Sequence, residues 1–338
     1  MIEVVTDLTS NRQDGTDLQG SPPPRRSGGP VRIGLVNNMP DAAFEDTEAQ
    51  FRWLLHAAAG ERAVELHRFW LPGLERGPRV RAILEARYRS FEEVGGAGLD
   101  GLIVTGTEPT TTRLQDEPYW DAMTAVLDCG LRNCGSVVAS CLAAHGVALM
   151  LDGLDRVRLE SKCFGLSEAS VMAPSPLTRG LGGRLSLPHS HSNTVGFDAL
   201  IERGYRPLLS QSADWSVVSR QEGDCLLVLV QGHPEYDRLA LLKEYRRDWR
   251  RFHLGQACFR PSAPQGYLGQ GAAPLLASLG GRVAIGPDRA SADSFPAAAL
   301  AATVEKDWSS GAEQLYRNWL ECLAAVKVAP KPASVGCG

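Results

Sequence analysis

Residues 135–146 read GSVVASCLAAHG, and this stretch decides the fold class. Small and β-branched residues over 135–140 predict a buried strand, and the apolar residues that follow predict a helix that begins directly after Cys141. A strand that turns at once into a helix, with small residues on both sides of the turn, is typical of a nucleophile elbow. We therefore predict that Cys141 lies between a strand and a helix N-terminus, although the Gly-x-Ser-x-Gly spelling is absent.

Cys141 is the residue that we expect to carry the chemistry. A helix N-terminus favours the negatively charged thiolate, which is the nucleophilic form of a cysteine. The backbone N–H of Leu142, the first residue of the predicted helix, would point at a developing oxyanion. The alternative is a buried cysteine that fills space at the end of a core strand, as most cysteines of cytosolic proteins do.

Strands and helices alternate along most of the remaining chain. Strands are predicted for the apolar runs at 31–37 (VRIGLVN), 63–70 (AVELHRFW), 99–105 (LDGLIVT) and 225–230 (CLLVLV). Helices are predicted from apolar spacing over 44–59, near 118–129 and over 237–253. This alternation predicts an α/β fold with a mostly parallel sheet and helices on both faces. Binding sites in such sheets lie at the carboxyl ends of the strands.

The two ends of the chain differ in composition from the middle. Residues 1–30 contain SPPPRRSGGP and almost no apolar periodicity, so we predict a flexible N-terminal arm. Residues 327–338, KVAPKPASVGCG, predict a flexible C-terminal tail. Between them we expect one α/β domain over 31–326, although 338 residues would also accommodate two domains of about 150 residues each.

Composition and charge exclude several classes of protein. Lys and Arg number 35 against 39 for Asp and Glu, a net charge of −4, so no basic excess exists to hold nucleic acid. The longest purely apolar runs are about six residues, far below the roughly 20 that a membrane helix needs. The start of the chain has early acidic residues and no apolar h-region, so we expect no signal peptide and a cytoplasmic location.

A cysteine nucleophile needs a base, and the segment QGHPEYD at 231–237 offers one. His233 and Glu235 stand two residues apart just after an apolar strand, so the carboxylate can hold the imidazole in one tautomer. Together with Cys141 they would form a set of nucleophile, base and orienting carboxylate. His145 is a second candidate base, because it would share a helix face with Cys141, but at that position it more often packs inside.

His189 and His191, in LPHSHSN, have the spacing of one strand face or of two metal ligands. Two ligands without a cysteine nearby are too few for a zinc site, so we expect no metal. The chain has 8 cysteines, none of them in a C-x-x-C pair, which gives no support to a zinc ribbon or a dithiol redox site.

Several motifs in chain order point to one family. The matching motifs are NNMP (37–40), DGLIVTG (100–106), SC (140–141), KCFG (162–165), PHS (188–190), GHPEYD (232–237) and NWL (318–320). Over about 31–326 the chain resembles the homoserine O-succinyltransferase and O-acetyltransferase family, whose members have a class I glutamine amidotransferase-like, flavodoxin-like fold. GHPEYD with a downstream arginine is the most specific of these elements, and the bare elbow is the least specific.

The resemblance implies an enzyme that transfers an acyl group from acyl-CoA to the hydroxyl of L-homoserine in methionine biosynthesis. It implies that Cys141 forms an acyl-thioester, with His233 as the proton acceptor and Glu235 as its partner. The substrate-contacting positions that it implies are Lys162, Ser190 and Arg247. Acyl-CoA would then be a co-substrate and no cofactor is expected. A homodimer is the commonest expectation for the assembly.

The chain departs from the family at two places near the expected site. Leu142 stands where the family usually has Trp, and the loop after Gly106 reads TEPTTTRLQ instead of opening with Ala-Pro. The resemblance implies that the residue at Thr110 influences the acyl donor, since Gly leaves room for succinyl and Glu favours acetyl. Thr110 is smaller than Glu and uncharged, and its hydroxyl could donate to a succinyl carboxylate. We therefore expect succinyl-CoA to be favoured over acetyl-CoA.

Three other functions stay open at this point. Serine or a related amino alcohol could replace homoserine as the acceptor. A Cys-His-Glu glutaminase-type hydrolase would use the same elbow with water as the nucleophile of the second step. A non-enzymatic relative would keep the fold and bind a partner, but a scaffold has no need to retain Cys141, His233 and Glu235.

Overall fold

The computed structural model describes residues 5–6, 29–211, 214–280, 288–305 and 307–328. The strands are β1 (Val5–Thr6), β2 (Val31–Val36), β3 (Val64–Trp70), β4 (Arg89–Ser90), β5 (Gly101–Val104), β6 (Ser136–Ser140), β7 (Arg156–Val171), β8 (Arg184–Val195), β9 (Arg206–Gln211), β10 (Asp214–Glu222) and β11 (Cys225–Val230). The α-helices are α1 (Asp41–Ala59), α2 (Pro78–Arg87), α3 (Trp120–Asn133), α4 (Leu142–Asp152), α5 (Phe197–Glu202), α6 (Ala240–His253), α7 (Ala273–Gly280), α8 (Arg289–Asp293), α9 (Ala297–Ala301) and α10 (Ser309–Val328). None of the helices in these ranges is long and apolar enough to cross a lipid bilayer.

The strands form one sheet in the order β1-β3-β2-β5-β6-β11-β10-β9-β7-β8, and β4 also pairs with β3. Neighbouring strands are parallel from β1 to β11, as is the β3–β4 pair. From β11 to β8 the neighbours are antiparallel. The structure therefore confirms the predicted α/β class with a mostly parallel sheet, and it adds an antiparallel extension on one side.

Helices cover both faces of the parallel half. On one face, α1 and α10 form a buried cluster with alternate strand residues such as Ile33 of β2 and Ile103 of β5. On the other face, α3 and α4 form a second cluster with the intervening residues, such as Leu102 and Val104 of β5. Successive side chains of a strand point to opposite faces, so strands that are buried on both faces read as continuous apolar runs.

The predicted elements of the parallel half agree with the structure to within a few residues. The strands predicted for 31–37 and 135–140 correspond to β2 and β6, and the helix predicted for 44–59 corresponds to α1. The sequence does not predict the antiparallel strands β7 to β10. Much of β7 is exposed and carries charged residues, so its sequence shows neither a continuous apolar run nor a clean alternation.

The predicted arm and tail lie mostly outside the described residues. Within residues 1–30, the structure describes 5–6 and 29–30, and Val5–Thr6 pair with β3 as the strand β1. At the other end α10 continues to Val328, two residues into the segment predicted as a tail, and residues 329–338 are outside the described part of the chain.

The carboxyl ends of the parallel strands bring the predicted site loops together. Val104 of β5 pairs with Ala139 of β6, and Ser140 of β6 pairs with Val230 of β11. The loops that follow these strands are therefore neighbours. Beyond them, α6 packs against α8 and α9. Trp249 of α6, Leu300 of α9 and Phe164 of β7 belong to a separate buried cluster.

Candidate active site

Cys141 lies on a strained turn between β6 and α4. Its φ and ψ are 52° and −110°, and it is the one residue other than glycine with a positive φ in the described part of the chain. Backbone strain of this kind costs about 1–3 kcal/mol and is concentrated at functional sites. The Cys141 N–H donates to the carbonyl oxygen of Val230 at 2.7 Å, which ties the turn to the end of β11. The predicted nucleophile elbow is thus present, with Cys141 half-buried.

Leu142 is the first residue of α4, so its backbone N–H has no acceptor within the helix. The backbone of Gly106, in the loop after β5, passes beside it. A Cβ at position 106 would lie 2.9 Å from the Leu142 nitrogen, closer than side chains are found in proteins. Glycine therefore allows the loop after β5 to pass close to the first residue of α4.

His233 and Glu235 form a buried pair in the loop after β11. Nδ1 of His233 lies 2.8 Å from Oε1 of Glu235, so the carboxylate accepts the Nδ1 proton and fixes the tautomer. The two side chains are 7% and 4% exposed, which shields the pair from water. The His233 N–H donates to the carbonyl oxygen of Pro188 at 2.8 Å, which holds this loop against β8. The structure thus brings the two residues together as the sequence predicts.

The pKa of His233 lies well above its ordinary value. Burial is the largest single influence and lowers it, but the Glu235 carboxylate and the Cys141 sulfur together raise it by more. An imidazolium beside the sulfur is the partner that stabilises a thiolate nucleophile. Cys141, His233 and Glu235 therefore have the arrangement of nucleophile, base and orienting carboxylate.

His145 lies behind the nucleophile and contacts it through Gln231. Nε2 of His145 is 2.6 Å from Oε1 of Gln231, and Nε2 of Gln231 is 3.8 Å from Sγ of Cys141. Burial lowers the pKa of His145 to about 4, so its imidazole is neutral near pH 7 and donates to the Gln231 amide oxygen. This contact turns the NH₂ group of Gln231 towards the sulfur.

The three residues implied to contact substrate lie around one carboxylate, Glu244 of α6. The Ser190 hydroxyl donates to Oε2 of Glu244 at 2.6 Å, and Nη2 of Arg247 donates to the same oxygen at 3.4 Å. Nζ of Lys162 lies 3.8 Å from it. Residues from β7, β8 and α6 thus form one polar cluster, which we call the Glu244 cluster.

A second carboxylate, Asp248, holds the two cations of the Glu244 cluster. Nζ of Lys162 donates to Oδ2 of Asp248 at 3.1 Å, and Nε of Arg247 donates to Oδ1 at 2.8 Å. Burial would raise the pKa of Asp248, but Arg247 and Lys162 lower it below its ordinary value. The Lys162 and Arg247 side chains are 32% and 35% exposed, so a small ligand can reach both.

Tyr236 connects the Glu244 cluster to the catalytic pair. Its ring is stacked on the imidazole of His233, and its hydroxyl donates to Oε1 of Glu244. The base and the Glu244 cluster are therefore separated by a single side chain. The structure brings together all the residues that the sequence singles out for catalysis and for substrate contact.

Thr110, the residue implied to influence the acyl donor, is exposed in the loop after β5. Its hydroxyl donates to Oε2 of Glu117 at 2.9 Å, and its N–H donates to Oε1 at 2.7 Å. Burial would raise the pKa of Glu117, but these bonds and two more from Thr111 lower it. In this structure the Thr110 hydroxyl donates to Glu117, and its donation to a succinyl carboxylate stays a prediction.

His189 and His191 lie side by side on β8, and a cysteine accompanies them. Nδ1 of His189 is 3.2 Å from Nε2 of His191. Cys163 of β7 is the register partner of His191, and the ligating atoms of the three residues lie within 4.8 Å of one another. The expectation that no cysteine lies near these histidines is thus wrong, because strand register is not visible in the sequence. Burial lowers the pKa of His189 well below its ordinary value and that of His191 to about 4.

Gly106, Gln231 and Glu244 lie near the site but are not predicted from the sequence as site residues. The first two stand inside the motifs DGLIVTG and QGHPEYD, directly after strands, so their place at the sheet edge was a usable signal. Glu244 belongs to a helix rich in charged residues, where the available hints are its place in EYRRD (244–248), which also matches the family, and its i, i+3 spacing from Arg247.

The class I glutamine amidotransferase-like fold is an open α/β sheet with helices on both faces. It has a cysteine elbow at the carboxyl edge of the sheet and a histidine–glutamate pair beside the elbow. The solved structure of a glutamine amidotransferase from Thermotoga maritima superposes with a TM-score of 0.50 at 12% sequence identity, covering 87% of this chain and 98% of that one. At this identity the likeness concerns the fold alone.

The family model described as homoserine O-succinyltransferase matches residues 13–328. A relative named homoserine O-succinyltransferase from Rhodopseudomonas palustris is 39% identical over 296 residues, covering 87% of this chain and 89% of that protein. A relative of the same name from Bradyrhizobium japonicum is 38% identical over 306 residues, covering 89% and 93%. The chain belongs to the homoserine O-succinyltransferase family, which confirms the resemblance seen in its motifs.

Proposed function

We propose that this protein moves the succinyl group of succinyl-CoA to the hydroxyl of L-homoserine, a step of methionine biosynthesis. The observation that carries the proposal is the buried His233–Glu235 pair beside Cys141 on its strained turn. A thiolate next to an oriented imidazole is the arrangement that forms and resolves covalent acyl intermediates. The family and its relatives at 38–39% identity support homoserine as the acceptor.

In the first half-reaction the Cys141 thiolate attacks the thioester carbonyl carbon of succinyl-CoA. The carbonyl oxygen becomes negatively charged and accepts a hydrogen bond from the Leu142 N–H, which lies beside Gly106. When the carbonyl re-forms, the bond to the CoA sulfur breaks, and the His233 imidazolium gives its proton to the departing thiolate. The products are free CoA, the acyl-thioester of Cys141 and a neutral His233.

In the second half-reaction the homoserine hydroxyl attacks the acyl-thioester. Nε2 of neutral His233 accepts the hydroxyl proton while the oxygen bonds to the acyl carbon. Collapse of the tetrahedral intermediate releases the Cys141 thiolate, and the imidazolium that has formed is stabilised by Glu235. The thiolate–imidazolium pair of the resting enzyme is thereby restored.

The Glu244 cluster has the charges that an α-amino acid requires. A guanidinium and an ammonium, from Arg247 and Lys162, can together bind the carboxylate of the acceptor. The Glu244 carboxylate can accept hydrogen bonds from its α-ammonium group. Because Tyr236 bridges Glu244 and His233, an amino acid bound here presents a short hydroxylated side chain to the base.

Succinyl is the proposed acyl group because Thr110 is smaller than glutamate and adds no negative charge. Acyl-CoA is a co-substrate in this proposal, and no resident cofactor takes part in either half-reaction. We also propose a homodimer, the commonest homo-oligomer. Light scattering of the purified protein tests this assembly, and a monomeric mass would overturn it.

Intact-mass spectrometry tests the proposed function directly. Protein incubated with succinyl-CoA and no acceptor should gain the mass of one succinyl group, mapped to Cys141 by peptide analysis. Addition of L-homoserine should discharge the adduct and yield O-succinylhomoserine. The Cys141→Ala variant should gain no mass, whereas Cys258→Ser, which removes an exposed cysteine, should behave as the unmodified protein.

Each alternative predicts a different result in the same experiment. If serine discharges the Cys141 adduct faster than homoserine does, serine is the acceptor. Hydrolysis of glutamine, with no adduct from succinyl-CoA or acetyl-CoA, would identify a glutaminase-type hydrolase. Neither adduct nor hydrolysis would mark a non-enzymatic relative. An adduct retained in Cys141→Ala would move the nucleophile to another cysteine, with Cys134 and Cys163 the first to examine.

A further inference from the structure

We propose that Cys163, His189 and His191 bind a zinc ion that fastens β7 to β8 behind the Glu244 cluster. The acyl-transfer mechanism uses none of these three side chains. The proposed zinc ion would hold the two strands together and would take no part in acyl transfer. It is therefore independent of the proposed function.

Strand register places the three side chains on one face of the β7–β8 pair. Cys163 and His191 are direct register partners, and His189 lies two residues along β8, so it points to the same face. The register partner of His189 is Gly165, which has no side chain to compete for the space. Ser190, between the two histidines, points to the other face and donates to Glu244.

The spacing of the ligating atoms fits tetrahedral zinc. Two Zn–N bonds of about 2.0–2.1 Å at the tetrahedral angle place the nitrogens about 3.3 Å apart. The observed distance from Nδ1 of His189 to Nε2 of His191 is 3.2 Å. The ligating atoms of Cys163 and the two histidines lie within 4.8 Å of one another, so the Cys163 side chain has to move closer for a Zn–S bond of about 2.3 Å to form.

The outer contacts of the cluster are those of metal ligands. Zinc-binding histidines usually donate their second ring N–H to a carboxylate or a backbone carbonyl. Nδ1 of His191 lies 2.9 Å from the carbonyl oxygen of Asn193, which makes Nδ1 the donor and leaves Nε2 bare. The amide nitrogen of Gln211 lies 4.0 Å from Sγ of Cys163, where it can donate to a thiolate.

His189 contributes its Nδ1 to the cluster, where it faces Nε2 of His191. Its side chain is fully buried, and its Nε2 has no hydrogen-bond partner among the residues that the structure describes. Without a metal, Nδ1 of His189 carries a proton and donates to His191. Zinc binding at Nδ1 would move that proton to Nε2, which has no acceptor among the described residues, so the metal–ligand bonds must outweigh one unpaired N–H. Two neutral imidazoles with one thiolate are ligands that zinc prefers.

An ion can reach the cluster from solvent and would affect the substrate side of the sheet. Cys163 and Lys162 both line an open cavity of about 430 Å³ formed by residues 159–167 and Gln265. An ion bound to Cys163 and to both histidines would cross-link the two strands at the residues that flank Lys162 and Ser190. We expect this cross-link to hold Lys162 and Ser190, and with them the Glu244 cluster, in a fixed position.

Metal analysis of the full-length protein tests the site without any assay of activity. Protein purified from zinc-supplemented cells, or stripped with a chelator and reloaded with Zn²⁺, should retain one ion per chain after gel filtration. Cys163→Ser and His191→Ala should lose it. Cys258→Ser is the matched control for an exposed cysteine, and Cys141→Ala is the control for binding at the nucleophile; both should retain the ion.

A second measurement uses the unmodified protein, so it remains decisive if the variants do not fold. Bound Zn²⁺ should slow alkylation of Cys163 relative to Cys129, another half-buried cysteine, as read by peptide mass spectrometry. Three results would each overturn the proposal. The protein could retain no zinc, it could lose zinc in Cys141→Ala but keep it in Cys163→Ser, or Cys163 could be alkylated equally fast with and without Zn²⁺. None of these results bears on acyl transfer, so the two proposals fail separately.

Discussion

The phenol ring of Tyr236 lies nearly parallel to the imidazole of His233, with 4.3 Å between the ring centroids and 17° between the ring planes. The Tyr236 hydroxyl donates to one oxygen of Glu244, and the Ser190 hydroxyl donates to the other. The catalytic base and the acceptor cluster are therefore held in one geometry by a single ring. In the proposed mechanism, an acceptor bound at Glu244 presents its hydroxyl to His233.

Replacing Tyr236 by Phe keeps the stacked ring and removes the hydrogen bond to Glu244. A hydrogen bond to a charged group is worth about 1.5–3 kcal/mol, so we expect KM for homoserine to rise by roughly 10- to 100-fold, with a smaller change in kcat. Tyr236→Leu, which also removes the stacking, should lower kcat in addition. A Phe variant with unchanged KM and reduced kcat would show that the hydroxyl serves the base and not the acceptor.

His233 should be the most damaging histidine to lose. His233→Ala is expected to lower the rate by about 10²–10⁴-fold, the usual contribution of a general base. His145→Ala and His189→Ala serve as comparisons, because both residues are buried near the site without touching the reacting atoms in the proposed mechanism. Steady-state CoA release measures all three, and a larger loss for His145 or His189 would reassign the base.

Glu235→Gln should cost less than His233→Ala and should change the pH dependence. The amide oxygen of Gln can still accept the Nδ1 proton, but the negative charge that raises the pKa of His233 is gone. The imidazolium is then lost at a lower pH than in the unmodified protein. The alkaline limb of the acylation rate, measured as the first burst of CoA release, should therefore move to lower pH. An unchanged limb would contradict the role given to Glu235.

The sequence predicts the parts of this site that depend on local pattern. Cys141 is visible because small residues surround it at a strand–helix junction, and the His233–Glu235 pair is visible because the two residues are neighbours in the sequence. The partnership of Cys163 with His191 depends on the register of two strands. Register between segments more than 20 residues apart is a tertiary property, so neither composition nor periodicity reveals it.

Arg247→Lys tests whether the acceptor carboxylate uses a guanidinium. Lysine keeps the positive charge but cannot form two parallel hydrogen bonds, so KM for homoserine should rise while kcat and KM for succinyl-CoA change little. Arg251→Lys is a matched control on the same helix, because Arg251 is engaged in a bidentate pair with Glu108. An equal rise in KM for both variants would indicate a general disturbance of α6.

Gly106→Ala tests the space in front of the Leu142 N–H. The added methyl group would lie 2.9 Å from the Leu142 nitrogen, and we expect it to crowd an oxyanion that accepts a hydrogen bond from this N–H. Loss of one oxyanion donor usually lowers kcat by about 10²–10³-fold, and a similar loss is expected here. Binding of homoserine, measured by calorimetry, should be unaffected. A variant with normal kcat would place the oxyanion elsewhere.

We propose that the loop that carries Thr110 influences the choice of acyl donor. We expect kcat/KM for succinyl-CoA to exceed that for acetyl-CoA when CoA release is measured at saturating homoserine. Thr110→Glu should move this ratio towards acetyl-CoA, because a carboxylate forced away from the nearby Glu117 would repel the succinyl carboxylate. Thr110→Gln is the matched control, since it adds the same bulk without the charge and should shift the ratio less. A ratio that does not move in Thr110→Glu would show that this loop does not contact the acyl group.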